Sequence, residues 1–232
     1  MATTTTEKQD VSHEGDGHGG HHPRLQHHFV SLDQQFSSAK LGMWLFLLTE
    51  LLLFSGMFVA YAVYFNWYPE TFAITSEALD WRMGFINTIV LLASSLTVAL
   101  SIHFVQKGQI KAMLWSLGAT LALAGVFLVI KYFEYTAKFE YGIYPGAAFD
   151  PSGPYAHMDV PNAIQYFSIY FVMTGIHAFH VIVGMIVFIW LIWRGLRNHF
   201  NPEWYTPVEL GGLYWHFVDL IWIFLFPLLY LI

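Results

Sequence analysis

Five apolar stretches are each long enough to cross a lipid bilayer as a helix: about 41–68, 83–106, 112–134, 160–193 and 210–232. A helix rising 1.5 Å per residue needs about 20 apolar residues to cover roughly 30 Å of hydrocarbon. Strands of a membrane barrel are half that length and alternate apolar with polar positions. These runs are continuous, so they are read as helices. Only 11% of the chain is charged and 56% is hydrophobic, against about 25% charged in soluble domains. The predicted fold class is all-α: a polytopic membrane bundle of five transmembrane helices, spanning 36–232.

Residues 1–35 form a polar tail that carries His13, His18, His21, His22, His27 and His28. It has too little apolar surface to fold alone, and is read as a disordered, cytoplasmic, His-rich segment. Metal binding there, at His18, His21 and His22, would be adventitious. No apolar signal segment is visible in it. With five spans, one membrane face receives Lys8, Arg24, Lys40, Lys107, Lys111, Arg194 and Arg197, and the other Arg82, Lys131 and Lys138. The excess of Lys and Arg predicts a cytoplasmic N-terminus and an external C-terminus. Trp67, Tyr68, Trp81, Trp115, Tyr132, Tyr135, Trp193 and Tyr214 fall where an interfacial aromatic belt is expected.

Polar groups at membrane depth are costly and find partners or functions. Glu50 and Asp219 each lie roughly 15 Å from the cytoplasmic end by helix rise, with His216 at roughly 10 Å, His180 at roughly 21 Å and His177 at roughly 26 Å. Glu50, His180 and Asp219 therefore share a layer, and Glu50 is expected to meet His180. His216 and Asp219, three residues apart on one helical face, are expected to pair. This set (Glu50, His177, His180, His216, Asp219) reads either as a structural polar network that fixes helix register or as a proton-handling one. A third reading is a b-type haem clamped between His180 and His216, against which stand the nearby carboxylates. Lys131 and Glu134, at i and i+3 near the outer end of the third span, read as a surface ion pair. Gly42, Gly56, Ala60 and Gly84 are small residues suited to a partner helix, and Gly175, Ala178 and Gly184 allow close approach near the histidines. The chain has no cysteine, which removes disulfides and thiolate metal sites. No P-loop, nucleophile elbow, zinc motif or nucleic-acid signature is present. A self-standing transporter would want inverted repeats or broken helices; no repeat is visible, and Pro227 is the only proline well inside a span.

Four motifs in order resemble the cytochrome c oxidase subunit III family. "LTELLLFSGMFVAYAVY" is similar to the span that carries its buried carboxylate, here Glu50. "KYFEY" is similar to its Glu-Tyr pair, here Glu134 and Tyr135. "GIHAFHVIVG" resembles its His-x-x-His-x-x-x-Gly signature, and "ELGGLYWHFVDLIWIFLF" its last helix. The long form of that family has two further helices before the glutamate span, so the resemblance is to the five-helix bacterial form, which leaves the place of those helices to another subunit. The resemblance implies a non-redox subunit of a proton-pumping haem–copper terminal oxidase in an aerobic respiratory chain, in a bacterial inner membrane. Haem and copper would reside in the partner subunits I and II and none in this chain, which would ligate no metal and hold phospholipid, support proton uptake and stabilise the complex. Membership of a larger respiratory supercomplex is compatible with it. Quinol oxidases and nitric oxide reductases have related subunits, so the electron donor stays open.

Overall fold

The computed structural model describes Gln26 and residues 29–232; His13, His18, His21, His22, His27 and His28, with Lys8 and Arg24, lie outside the described residues. Among the described residues six α-helices follow one another: α1 (Leu32–Trp67), α2 (Pro69–Ser76), α3 (Trp81–Gln106), α4 (Ile110–Glu140), α5 (Ala163–Leu196) and α6 (Thr206–Tyr230). All but α2 are long and apolar enough to cross a membrane. Among the described residues there is no strand, and this is the expected all-α architecture. In lipid a helix satisfies every backbone group within its own segment, which is why these runs fold so.

The described residues up to Ser38 and those from Ala39 onward belong to separate units. In the first unit, α1 starts well ahead of the apolar run because its end is capped. Ser31 Oγ accepts from the Gln34 N–H at 3.2 Å, a side-chain N-cap, and Gln34 Oε1 accepts from the N–H of Val30, the residue before the cap, at 2.9 Å.

The second unit is built on α3 to α6, which pack in a ring with α3 beside α4 and α6, and α5 beside α4 and α6. The buried residues explain the packing. On α3 they are Gly84, Asn87, Leu91, Ser94, Val98, Ser101 and Val105, and on α4 Met113, Leu117, Thr120, Ala124, Phe127, Lys131, Glu134 and Lys138. Both series step by alternating threes and fours, and α5 and α6 contain the same spacing. A repeat of 3.5 on a helix of 3.6 residues per turn gives left-handed packing at about +20°. Small residues bring the axes close: a methyl group at Gly184 would stand 2.6 Å from the Trp215 ring, and one at Gly84 2.7 Å from Phe226. Gly84 therefore packs within this chain, not against a partner helix as its small size suggested. Gly42 and Gly56 meet nothing within 4 Å.

Helix ends are closed by left-handed residues. Gly108 (φ 73°), Gly142 (φ 79°) and Asn198 (φ 54°) follow α3, α4 and α5, and the N–H groups after them return to carbonyls of the last turn. The last carbonyls of α6 are closed by hydroxyls: Tyr61 donates to Leu228 O at 2.6 Å and Tyr166 to Leu229 O at 2.9 Å.

One boundary departs from expectation. The third span is expected to end near residue 134, yet α4 carries Lys131 and Glu134 and continues past them through Lys138 to Glu140. Those charges turn into the bundle rather than into water, so the helix does not stop at them.

Candidate functional site

α1 presents a narrow stripe to the bundle, with Leu47, Phe54 and Tyr61 buried at seven-residue spacing. Glu50 sits on the same side, one helical turn from Leu47. Its Oε2 lies 2.9 Å from His180 Nε2 on α5. His180 Nδ1 lies 2.8 Å from the Ile176 carbonyl. A carbonyl only accepts, so Nδ1 carries a hydrogen. The contact at Nε2 then contains one proton, held either by an imidazolium facing a carboxylate or by a carboxylic acid facing a neutral imidazole. Both forms are neutral as a pair, which suits membrane depth. The pair opens to a groove of about 370 Å³ between α1 and α5 that includes Phe46, Phe179 and Tyr214. Phe54 packs 5.2 Å from the imidazole, and the Tyr214 hydroxyl donates to His180 O at 3.1 Å. Tyr214, expected in the interfacial belt, is thus 6% exposed and internal.

The remaining residues of the expected network do not join this pair. His216 and Asp219 do not pair with each other. His216 Nδ1 lies 2.6 Å from Ser95 Oγ on α3. Both Asp219 oxygens are buried without a hydrogen-bond partner, although Ser95 lies beside them. The i, i+3 spacing put both residues on one face, but α3 is packed against that face and its serine takes the imidazole. His177 is fully buried, and neither ring nitrogen has a hydrogen-bond partner. Trp222 and Phe127 rings pack 5.2 and 5.6 Å from it. Asn87 on α3 is buried and unpaired too. Its neighbour Thr88 accepts from the Trp222 indole at 3.1 Å.

The second polar centre surrounds Glu134. Lys131 and Glu134 do pair, at 2.8 Å, but they are 5% and 4% exposed, so the surface reading of this pair is corrected. Glu134 Oε2 accepts from Lys131, while Oε1 accepts from Lys138 at 3.1 Å, Tyr170 at 2.8 Å and Tyr230 at 2.6 Å. Lys131 also donates to the Tyr230 hydroxyl. Its ammonium stands 4.6 Å from the Trp222 centroid and 4.9 Å from that of Tyr230, a cation over aromatic faces. Three helices meet in this cluster, far from the Glu50–His180 pair along the bundle. Lys138, four residues after Glu134, was legible as a helical partner; Tyr170 and Tyr230 carried no local signal.

A model of the family described as cytochrome c oxidase subunit III matches residues 1–232. The chain is 31% identical over 197 residues to "Cytochrome c oxidase subunit 3" of Thermostichus vulcanus, covering 83% of this chain and 86% of that protein. It is 31% identical over 234 residues to the protein of the same name from Loxodonta africana, covering 96% of this chain and 76% of that one.

Proposed function

Since the chain belongs to the cytochrome c oxidase subunit III family, we propose that it is the non-redox third subunit of a proton-pumping haem–copper oxidase in a bacterial inner membrane. It is a multi-pass membrane protein by its five spans. Haem and copper belong to subunits I and II in this reading, and the relatives' name points to cytochrome c as the electron donor. The chain packs against subunit I, holds phospholipid beside its apolar faces, and supports proton uptake.

The observation that carries the reading is the Glu50–His180 contact at 2.9 Å. It joins two of the four motifs through which the sequence resembles the family, and it keeps one shared proton where α1 borders the bundle. Glu50 retains 19% side-chain exposure and His180 9%, so the proton is reachable from the groove beside them. A purely structural pair would more readily be closed off, as Glu134 is.

The test is purification of the tagged chain from native membranes, with haem spectra and oxygen consumption on reduced cytochrome c and on quinol. Co-purification with a haem-bearing subunit and oxidation of cytochrome c are expected. Glu50→Gln should leave assembly intact, because an amide still bonds His180, and at most slow proton uptake. Glu50→Leu leaves a buried imidazole nitrogen unpaired, at about 1–3 kcal/mol, and should loosen retention of the subunit. A functional complex that never contains a haem-bearing partner would overturn the assignment.

A further inference from the structure

One layer of the α3–α6 ring takes an inward residue from each helix: Asn87, Phe127, His177 and Trp222, each exposed by 1% or less. Trp222 sets the level. Its indole N–H donates to Thr88, the residue after Asn87, at 3.1 Å. Its ring lies 5.2 Å from His177 and 5.0 Å from Phe127, and Phe127 lies 5.6 Å from His177.

The helical phase shows where the two polar members point. Successive residues turn about 100° on a helix. On α3, Thr88 and Ser95 reach α6 through Trp222 and His216, while Thr97, on the opposite side, reaches Thr120 of α4. Asn87 falls midway between these directions and faces the ring interior. On α5, Thr174 meets Tyr135 of α4 and Gly184 meets Trp215 of α6. His177 falls between them and faces the same interior from the far corner of the ring.

All four polar atoms of this pair, the amide N and O of Asn87 and both ring nitrogens of His177, are buried without a hydrogen-bond partner among the described residues. Each such atom carries its full desolvation cost, and here the costs fall within one layer. The demand is matched: the amide offers donors and an acceptor, and a neutral imidazole offers one of each. Water both donates and accepts, carries no charge, and is the smallest ligand that answers both groups.

We propose that this layer is an internal water site, in which bound water bridges the Asn87 amide to the His177 imidazole. The bridge braces α3 to α5 across the diagonal of the ring and fixes the orientation of the His177 ring. It lies in the interior of this chain and is independent of which subunits surround it.

The test is radiolytic hydroxyl labelling of the intact complex, read residue by residue by mass spectrometry. A brief X-ray pulse makes radicals from bound water in place, so side chains beside internal water are oxidised although sealed from solvent. Trp215 is the internal reference: it lies on the same helix, is 0% exposed, and has its indole N–H bonded to Ser94. Trp222 and His177 should be oxidised several-fold faster than Trp215. Asn87→Leu should remove most of that excess, and Asn87→Ser, which keeps a hydroxyl, should preserve it. Because the two side chains share one bridge, Asn87→Leu should lower the thermal midpoint more in the wild-type background than in His177→Phe, where no imidazole is left to strand. Wild-type labelling of Trp222 and His177 no faster than that of Trp215 would overturn the proposal, even if every variant failed to assemble. An excess unmoved by Asn87→Leu would overturn it too, as would a direct Asn87–His177 hydrogen bond found by nitrogen NMR of the labelled imidazole. None of these outcomes bears on the family assignment, which the haem spectrum of the same preparation reads separately.

Discussion

Glu134→Ala would strand two lysine ammoniums, Lys131 and Lys138, that are almost wholly enclosed by protein. Breaking a buried ion pair from one side costs about 3–5 kcal/mol, and here one carboxylate serves two cations and two phenols. The variant is expected to accumulate in membranes at a small fraction of the wild-type level, read by quantitative immunoblot. Lys138→Met removes one cation and leaves Glu134 bonded to Lys131, so it should retain most of that level; equal losses for both variants would contradict the ranking. At this scale the sequence was readable where a partner lay along one helix or at a matched depth. Lys131 and Glu134 paired as their spacing suggested, and Glu50 met His180 as their depths suggested. Tyr170 and Tyr230 lie 36 and 96 residues from Glu134, so the enclosure that makes the cluster internal could not be seen. Asp219 failed for the complementary reason: Ser95, 121 residues before His216, outcompetes a neighbour on the same helix.

At the level of helices, the seven-residue spacing of buried positions decides which faces meet, and glycine decides how closely. A leucine at Gly184 has no room, since even a methyl group would fall 2.6 Å from the Trp215 ring. Trp215 itself is pinned, donating its indole N–H to Ser94 Oγ at 2.9 Å. Overpacking a closed core typically costs about 1–3 kcal/mol. Gly184→Leu should therefore lower the thermal unfolding midpoint in detergent, whereas Gly175→Leu, where nothing lies within 4 Å, should leave it near the wild-type value. Five spans were legible because length and hydropathy suffice for them. The end of α4 beyond residue 134 was not, because charge in a sequence ordinarily signals water, and here it signals other helices.

For the molecule as a whole, the seven-to-three split of Lys and Arg predicts that the chain's two ends lie on opposite sides of the membrane. Reporter fusions at each end, one active only in the cytoplasm and one only outside, should give a cytoplasmic N-terminus and an external C-terminus. Both ends on one side would require an even number of spans. The ring of α3 to α6 was only partly foreseen, since helix count follows from composition but neighbour order follows from interdigitating side chains. The first helix differs from the others in how it is held. Polar links fasten it to the bundle: Lys40 to Glu209 at 2.5 Å, Glu50 to His180 at 2.9 Å, and Tyr61 to the Leu228 carbonyl at 2.6 Å. Every one of those partners is encoded late. His180 follows Glu50 by 130 residues, which a ribosome adding about 5–20 residues per second takes roughly 7–26 s to make. For that interval a newborn helix waits in the bilayer with a carboxyl group that has no imidazole to face. Biogenesis thus contains an enforced interval in which α1 lies in the bilayer before the helices that fasten it have been made.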